Sequence, residues 1–399
     1  MNTQIVSLTV AHVSRYVGQT AILVALMLYS SPENVGRFTL ALAIAAPVFV
    51  VASLGMRTLI LTNERTHRFR TYLLARLNAS GIAAALSLMI CIAIAPDQLL
   101  LILGVISMKV AESFLDLASA WWHLQSQFTR LLWVSTGSAL LTGLAGFWWM
   151  PVSAGLGVFA AGTVALVSSI LGLLMVLDSG RRPRTRGAFG LREQLQIVRA
   201  GFPLGLAYGI TTLLVAAPQW SLGVAGDLVG AAQFAILMYL MTGADLILNP
   251  LTQHWAFDSA QNRSADGVSA QWVSSQALRF CLRLAPVMLT GLAVGWFVLA
   301  ALAPAYLPNA WDVAMVGLCM ILAPFVHLGA TSLAVANRYS GALAAVLPSV
   351  VIVVLLSMVL TPRFGLSGAV LAFTCGYLSR AVVPMLMLRA RREKRGKLA

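Results

Sequence analysis

Charged residues are scarce in this 399-residue chain: they make up 10% of it, whereas 59% is hydrophobic and the mean hydropathy is +0.85. A soluble globular protein carries about 25% charged residues, so this composition excludes a soluble enzyme. Lipid-embedded backbone groups must be hydrogen-bonded within the protein, which restricts spanning structures to helices and closed barrels. The apolar runs here are long and continuous and lack the two-residue alternation of a barrel strand. The sequence therefore predicts an all-α polytopic membrane protein.

Cysteine is also rare, and so are the patterns of a catalytic site. The four cysteines each lie within an apolar run and show no paired spacing, so neither a metal site nor a disulfide framework is predicted. They are Cys91, Cys281, Cys319 and Cys375, and we interpret them as small core residues. The chain has no phosphate-binding P-loop and no acidic motif on a long aqueous loop. We therefore expect no metal, no cofactor and no enzymatic activity.

Long apolar runs dominate what is present, and we count about 12 candidate transmembrane helices. They run approximately over residues 5–29, 38–61, 72–95, 99–122, 131–150, 156–177, 202–222, 229–247, 273–301, 311–336, 343–360 and 366–388. A basic linker at 179–200 divides them into two six-helix lobes, 1–178 and 201–388, and a basic tail follows at 389–399. Six spans in each lobe give both lobes the same orientation, so the lobes are predicted to be parallel repeats. PVSAGLGVFAAG, entering the sixth span, and RFGLSGAVLAF, entering the twelfth, are a weak internal echo.

Basic residues accumulate in the loops on one side of these spans, and the opposite side has only Arg37 and Arg363. By the positive-inside rule, both termini are expected in the cytoplasm. A net charge of +14 would suggest nucleic acid in a soluble protein, but this one-sided distribution explains it without such a partner. The first apolar run has no basic segment before it, so we expect a retained span rather than a cleaved signal peptide.

The fourth predicted span is unusual because charged residues interrupt it on one face. At 100° per residue, Glu112, Asp116 and His123 lie within about 60° of Lys109 around the helix. Charges at bilayer depth cost several kcal/mol unless they pair or face water. The pattern indicates a polar seam inside a helical bundle, as a membrane transporter would have. Lys109 and Glu112 are three residues apart and are expected to pair.

That pairing leaves Asp116 in need of a partner from another helix. Arg15, deep in the first span, is the first candidate, whereas Arg57 and Arg76 lie near predicted helix ends and are expected to snorkel to the interface. Two interpretations stay open. The charges form either a cationic cavity for an anionic head group or a structural network of ion pairs between helices.

The second half has its own polar residues. Asp245 is expected to pair with Arg283, with Arg279 nearer the cytoplasmic surface. Arg380 lies in the middle of the last span without an acidic residue in that span. His327 is either a hydrogen-bonded packing residue or a proton relay.

The basic residues comprise 24 arginines and three lysines. Guanidinium groups bind phosphate in a bidentate fork and stay charged when buried, which favours an anionic, phosphate-bearing substrate. The substrate-binding candidates are Arg15, Lys109, Arg283 and Arg380, and the ion-coupling candidates are Glu112, Asp116 and Asp245.

Residues 31–62, SPENVGRFTLALAIAAPVFVVASLGMRTLILT, resemble the polysaccharide transporter family of the multidrug/oligosaccharidyl-lipid/polysaccharide flippase superfamily. The RFGLSGAVLA segment before the last span agrees. The resemblance implies a MATE-like, V-shaped pair of lobes that moves undecaprenyl-pyrophosphate-linked oligosaccharide across the bacterial inner membrane for O-antigen or exopolysaccharide synthesis. The implied partners are this lipid-linked oligosaccharide, membrane lipids, and polysaccharide polymerase and assembly proteins. Arg15 would fit a basic cavity residue, and the chain lacks two extra spans that the lipid II flippase branch carries.

Two alternatives compete with that function. A cation-coupled multidrug antiporter of the same architecture would use Glu112 and Asp116 to bind a cation or drug. A glycan polymerase or membrane glycosyltransferase ranks last, because such enzymes need a large periplasmic loop and no predicted loop here is long enough.

Overall fold

The structure is a computed structural model that describes residues 3–62, 68–178, 191–262, 270–335 and 339–396. These ranges are helical apart from short turns. The helices are α1 Thr3–Tyr29, α2 Pro32–Ala52, α3 Met56–Thr62, α4 Phe69–Ile94, α5 Leu99–Leu124, α6 Phe128–Trp149, α7 Ala154–Asp178, α8 Leu191–Val224, α9 Leu228–Asn262, α10 Ala270–Leu302, α11 Ala310–Val335 and α12 Tyr339–Gly396.

Ten helical segments of the described chain are long and apolar enough to cross a membrane. A spanning helix needs about 20 residues. One segment, Leu343–Arg389, has 47 residues and contains both of the last two predicted spans, while the apolar stretch Tyr16–Tyr29 of α1 is shorter than the rest. The chain is a multi-pass membrane protein, and the predicted all-α polytopic class is confirmed.

Glycine sets the point at which α12 divides. Gly365 has φ 55° and ψ −132°, which lies outside the helical region. It therefore separates the two predicted spans that α12 contains. A side chain disfavours positive φ, and glycine has none. The first arm of α12 therefore ends at this residue, and the second arm begins there.

A second break separates α2 from α3, at Leu54 and Gly55, which have φ values of 54° and 53°. The first part of α8 packs on this break with its backbone. A Cβ atom on Gly201 would lie 2.3 Å from the Leu54 carbonyl oxygen, and one on Gly205 would lie 2.5 Å from that of Val51. This close approach fixes the start of α3, where Arg57 is the second residue.

The chain forms two compact units, Met1–Thr212 and Leu213–Ala399, which we call the N-terminal and C-terminal units. The division lies within α8. The predicted lobe and linker boundaries, 1–178, 179–200, 201–388 and 389–399, stay a prediction.

The N-terminal unit is built around α5. An added Cβ on Gly162 of α7 would lie 2.3 Å from the carbonyl oxygen of Gly104, so α5 and α7 touch backbone to backbone. Further along α5, Leu117 and Trp122 are completely buried in an apolar cluster. The apolar faces of α5 are thus covered by its own unit, and its polar stripe is the part that stays partly open.

The C-terminal unit has one large apolar cluster formed mainly by α9, α11 and the second arm of α12, with smaller contributions from α8 and α10. Phe234 and Phe373 meet edge to face, with ring centroids 6.2 Å apart. Met241, Ala244 and Tyr377 extend the same cluster. Any polar side chain that points from these helices into this cluster must find a polar partner.

The cysteines match their predicted role as core residues. Cys91, Cys281 and Cys319 are buried, Cys375 is half-buried, and all four are free thiols. Cys281 donates a hydrogen bond to the Ile321 carbonyl oxygen at 2.8 Å.

Candidate functional site

The polar stripe on α5 brings four ionisable side chains onto one face of a helix in the N-terminal unit. Lys109, Glu112, Asp116 and His123 are all half-buried, whereas their apolar neighbours on α5 are mostly buried. Charged groups that are neither free in water nor fully enclosed mark a cavity wall or an interhelical seam. The predicted seam therefore exists, and its partners can be assigned.

Asp116 binds an arginine of α4. Its Oδ2 accepts a hydrogen bond from Nη2 of Arg76 at 2.9 Å, and the Arg76 side chain is completely buried. Nε and Nη1 of Arg76 have no hydrogen-bond partner among the residues that the structure describes. A buried cation needs a close countercharge, so Asp116 is what allows Arg76 to remain charged there.

A second arginine faces the same carboxylate from α3. Nη1 of Arg57 lies 3.6 Å from Oδ1 of Asp116, and the Arg57 side chain is 26% exposed. Two guanidinium groups thus share one carboxylate. Arg76 is the enclosed, hydrogen-bonded member, and Arg57 is the more distant and more accessible member.

These contacts correct the predicted partners of Asp116. Arg76 does not snorkel to the interface: it is buried against Asp116 because α4 and α5 form an antiparallel hairpin that brings the two residues to the same depth. Arg57 is likewise turned inward to the carboxylate. The structure does not describe the side chain of Arg15, so the predicted Arg15 contact lies outside the described residues.

Lys109 and Glu112 form the predicted pair along α5. Nζ of Lys109 lies 2.9 Å from Oε2 of Glu112, and the amide of Gln19 on α1 donates a hydrogen bond to Oε1. Both oxygens of Glu112 are therefore engaged, although its side chain is 42% exposed. The charge of Lys109 is therefore balanced by a carboxylate of its own helix.

In the C-terminal unit, Asp245 is paired with histidine rather than arginine. Nε2 of His327 on α11 lies 2.8 Å from Oδ1 of Asp245 on α9. The predicted Asp245–Arg283 pair is wrong: Arg283 is exposed, and within the described chain no ion pair joins it to Asp245. Asp245 and His327 are each the eighteenth residue of their helices, which run in the same direction and so hold both side chains at one level.

Arg380 lies on the second arm of α12 and shares one neighbour, Tyr377, with this pair. Tyr377, one turn earlier, is close enough to both Asp245 and Arg380 for each charge to act on it electrostatically. Arg380 is half-buried, and its Nε has no hydrogen-bond partner in the described part of the chain. Of the two predicted substrate-binding arginines of this half, Arg380 is therefore linked to the Asp245–His327 pair through Tyr377, whereas Arg283 is exposed.

Comparison with known proteins defines the fold. No family model and no curated protein matches the sequence. Solved structures do match: the lipid II flippase MurJ in an inward closed conformation is 12% identical, with 96% of this chain and 87% of that chain covered and a TM-score of 0.58. An outward-facing multidrug resistance MATE family transporter of the MOP superfamily is 15% identical, with 98% and 95% covered and a TM-score of 0.62.

A eukaryotic MATE transporter is 11% identical, with 96% of this chain and 94% of that chain covered and a TM-score of 0.65. The chain has the MATE/MurJ fold. At these identities the likeness is one of fold alone. A flippase and multidrug transporters share this architecture, so the fold does not determine a substrate class.

Proposed function

We propose that this protein is a transporter of the bacterial inner membrane that flips an anionic lipid-linked oligosaccharide, with undecaprenyl pyrophosphate as the lipid carrier. Both termini lie in the cytoplasm in this proposal, in accord with the distribution of basic loops. The observation that carries it is the pair of guanidinium groups, Arg57 and Arg76, on the single carboxylate of Asp116.

The geometry of this cluster favours an anion over a cation as its ligand. Asp116 is hydrogen-bonded to Arg76 at 2.9 Å and lies 3.6 Å from Arg57, so its stronger contact is with the enclosed arginine. Arg57 is the cation that an incoming group reaches first. A phosphate oxygen can replace Asp116 as a ligand of Arg57 while Asp116 continues to neutralise Arg76, and guanidinium matches phosphate geometry in a bidentate manner.

The other candidate residues take subordinate roles in this proposal. Lys109 is neutralised by Glu112, so it lines the seam without adding net charge. Arg15 on α1 remains a proposed cavity cation from its place in the sequence. In the C-terminal unit, Arg380 is the proposed counterpart, and Asp245 is the proposed ion-coupling carboxylate. Polysaccharide polymerase and assembly proteins are the proposed partners.

The test uses cells in which the chromosomal gene is deleted and restored on a plasmid. Surface glycan and cytoplasmic-leaflet lipid-linked oligosaccharide are quantified together. With Arg57→Gln we expect surface glycan to fall about tenfold or more while the precursor accumulates, since a hydrogen bond to a charged group contributes about 1.5–3 kcal/mol. Arg57→Lys should restore only part of the transport, because lysine lacks the bidentate fork.

Arg363→Gln is the matched control, because Arg363 is an exposed arginine on α12. It should export glycan at the wild-type level at equal protein abundance in the membrane. If the deletion leaves both surface glycan and precursor unchanged, the flippase proposal is wrong. Drug sensitivity of the same strain would then support the multidrug antiporter, whose ligand would use the partly exposed carboxylates of Glu112 and Asp116.

A further inference from the structure

The Asp245–His327 pair lies in a membrane-spanning unit, beside residues of an apolar cluster. The cluster includes Met241, Ala244 and Leu248 on the helix of Asp245, and Val326 beside His327. Ionisable side chains at membrane depth are costly and mark ion or proton pathways when they persist. The pair therefore calls for a functional explanation.

We propose that Asp245 and His327 form the coupling site of the C-terminal unit and that this site takes up a proton rather than a sodium ion. This inference rests on the proposed transport function and specifies its energy source. The side chains of His327 and Asp245 are 19% and 33% exposed, so the pair can exchange a proton with water while most of its surface is protected.

The ligand atoms explain the choice of ion. Hard cations prefer several oxygen ligands, whereas imidazole nitrogen suits softer metals or a proton. The nearest partner of the Asp245 carboxylate is Nε2 of His327, at 2.8 Å. Within the described residues, no group of three or more histidine, cysteine, aspartate or glutamate side chains is placed to hold a metal ion.

The surrounding charges give proton uptake a mechanical consequence. Arg380 and Tyr377 face the pair from α12, while Arg279 and Arg283 of the neighbouring α10 are exposed. When a water-borne proton binds the imidazole, a new N–H bond forms and the cluster gains one positive charge. An extra charge in a low-dielectric environment favours a conformation that hydrates it.

The first experiment measures proton uptake by the purified protein and needs no substrate. Wild-type and variant proteins in weakly buffered detergent solution are titrated between pH 5 and pH 8. Imidazole is the side chain that ordinarily changes charge in this interval, so wild type should take up about one proton more per chain than His327→Gln. Asp97→Asn, at an exposed position, should behave like wild type. Equal uptake by wild type and His327→Gln would overturn the inference.

The second experiment measures flipping in proteoliposomes loaded with lipid-linked oligosaccharide extracted from the deletion strain. One proton per cycle allows about a tenfold enrichment in one leaflet for each unit of pH difference. A pH gradient should drive this enrichment in wild type and in Asp97→Asn, and a sodium gradient should not. His327→Gln and Asp245→Asn, checked by gel filtration for correct folding, should flip the lipid without enrichment.

The outcomes separate the inference from the proposed function. Enrichment driven by sodium, or by a pH gradient in His327→Gln, would refute the proton site while leaving the flippase intact. If wild type moves no lipid under any gradient, the flippase proposal fails, and the titration still decides whether the pair takes up a proton.

Discussion

Removing Asp116 should destabilise the N-terminal unit strongly, because it would leave the Arg76 guanidinium buried without a countercharge. Arg76 is completely enclosed, and two of its nitrogen atoms already lack hydrogen-bond partners among the described residues. Breaking a buried ion pair by removing one partner costs about 3–5 kcal/mol. We expect a loss of this size in the free energy of unfolding for Asp116→Leu. Arg57, at 3.6 Å and partly exposed, would lose this contact as well.

A double substitution tests whether the pair itself is the cause. Replacing a buried ion pair with apolar residues of similar volume is often neutral or stabilising. Arg76→Met combined with Asp116→Leu should therefore unfold less readily than Asp116→Leu alone, by about 2 kcal/mol or more. Unfolding is followed in mixed detergent by tryptophan fluorescence, with buried Trp122 as an N-terminal-unit reporter.

Arg363→Gln is the control, because substitutions at exposed sites usually change stability by less than about 0.5 kcal/mol. If Asp116→Leu falls within that range, Arg76 cannot depend on this carboxylate. Strict additivity of the two single substitutions would refute the ion pair as a coupled unit.

Two further predictions concern glycines. Gly162→Val should prevent α5 and α7 from meeting, because the new Cβ would lie 2.3 Å from the Gly104 carbonyl oxygen. Gly81→Val is the control, because a Cβ at Gly81 meets nothing within 4 Å. The yield of folded protein in gel filtration should fall for Gly162→Val only. Gly365→Ala should destabilise the C-terminal unit by about 1–3 kcal/mol, because residues with side chains are strained at φ 55°. Equal unfolding midpoints for Gly365→Ala and wild type would contradict this.

The membrane class and the polar seam were predictable because both depend on local sequence. Continuous apolar runs predict spanning helices, and a three-residue spacing predicts the Lys109–Glu112 pair. Fold similarity to MATE and MurJ transporters agrees with the predicted class. A resemblance to the polysaccharide transporter family supplied the substrate class, and that part stays a proposal.

The partners between helices were harder to predict, since they depend on which helices pack together and at what depth. Asp97 lies in the turn between α4 and α5. Asp116 follows Asp97 by 19 residues, and Arg76 precedes Asp97 by 21 residues. Counting residues outward from this turn would have matched them, because both helices of a hairpin advance by the same distance per residue.

The partner of Asp245 could not be predicted from the order of the helices in the sequence. Its predicted partner, Arg283, lies on the next helix in sequence, but the observed partner lies one helix further on. Helices α9 and α11 run in the same direction and touch in the C-terminal unit, so residues at equal distances from their first residues meet. The sequence gives no sign that α11, rather than α10, covers this face of α9.

The buried thiols have a practical consequence for site-directed labelling of this protein. Cys91, Cys281 and Cys319 are at most 5% exposed, so a thiol-specific reagent cannot reach them in the folded protein. Only Cys375, which is half-buried, needs to be replaced before single reporter cysteines are introduced for spin or fluorophore labelling. Distances within each unit can then be measured without removing the buried sulfur atoms from the core.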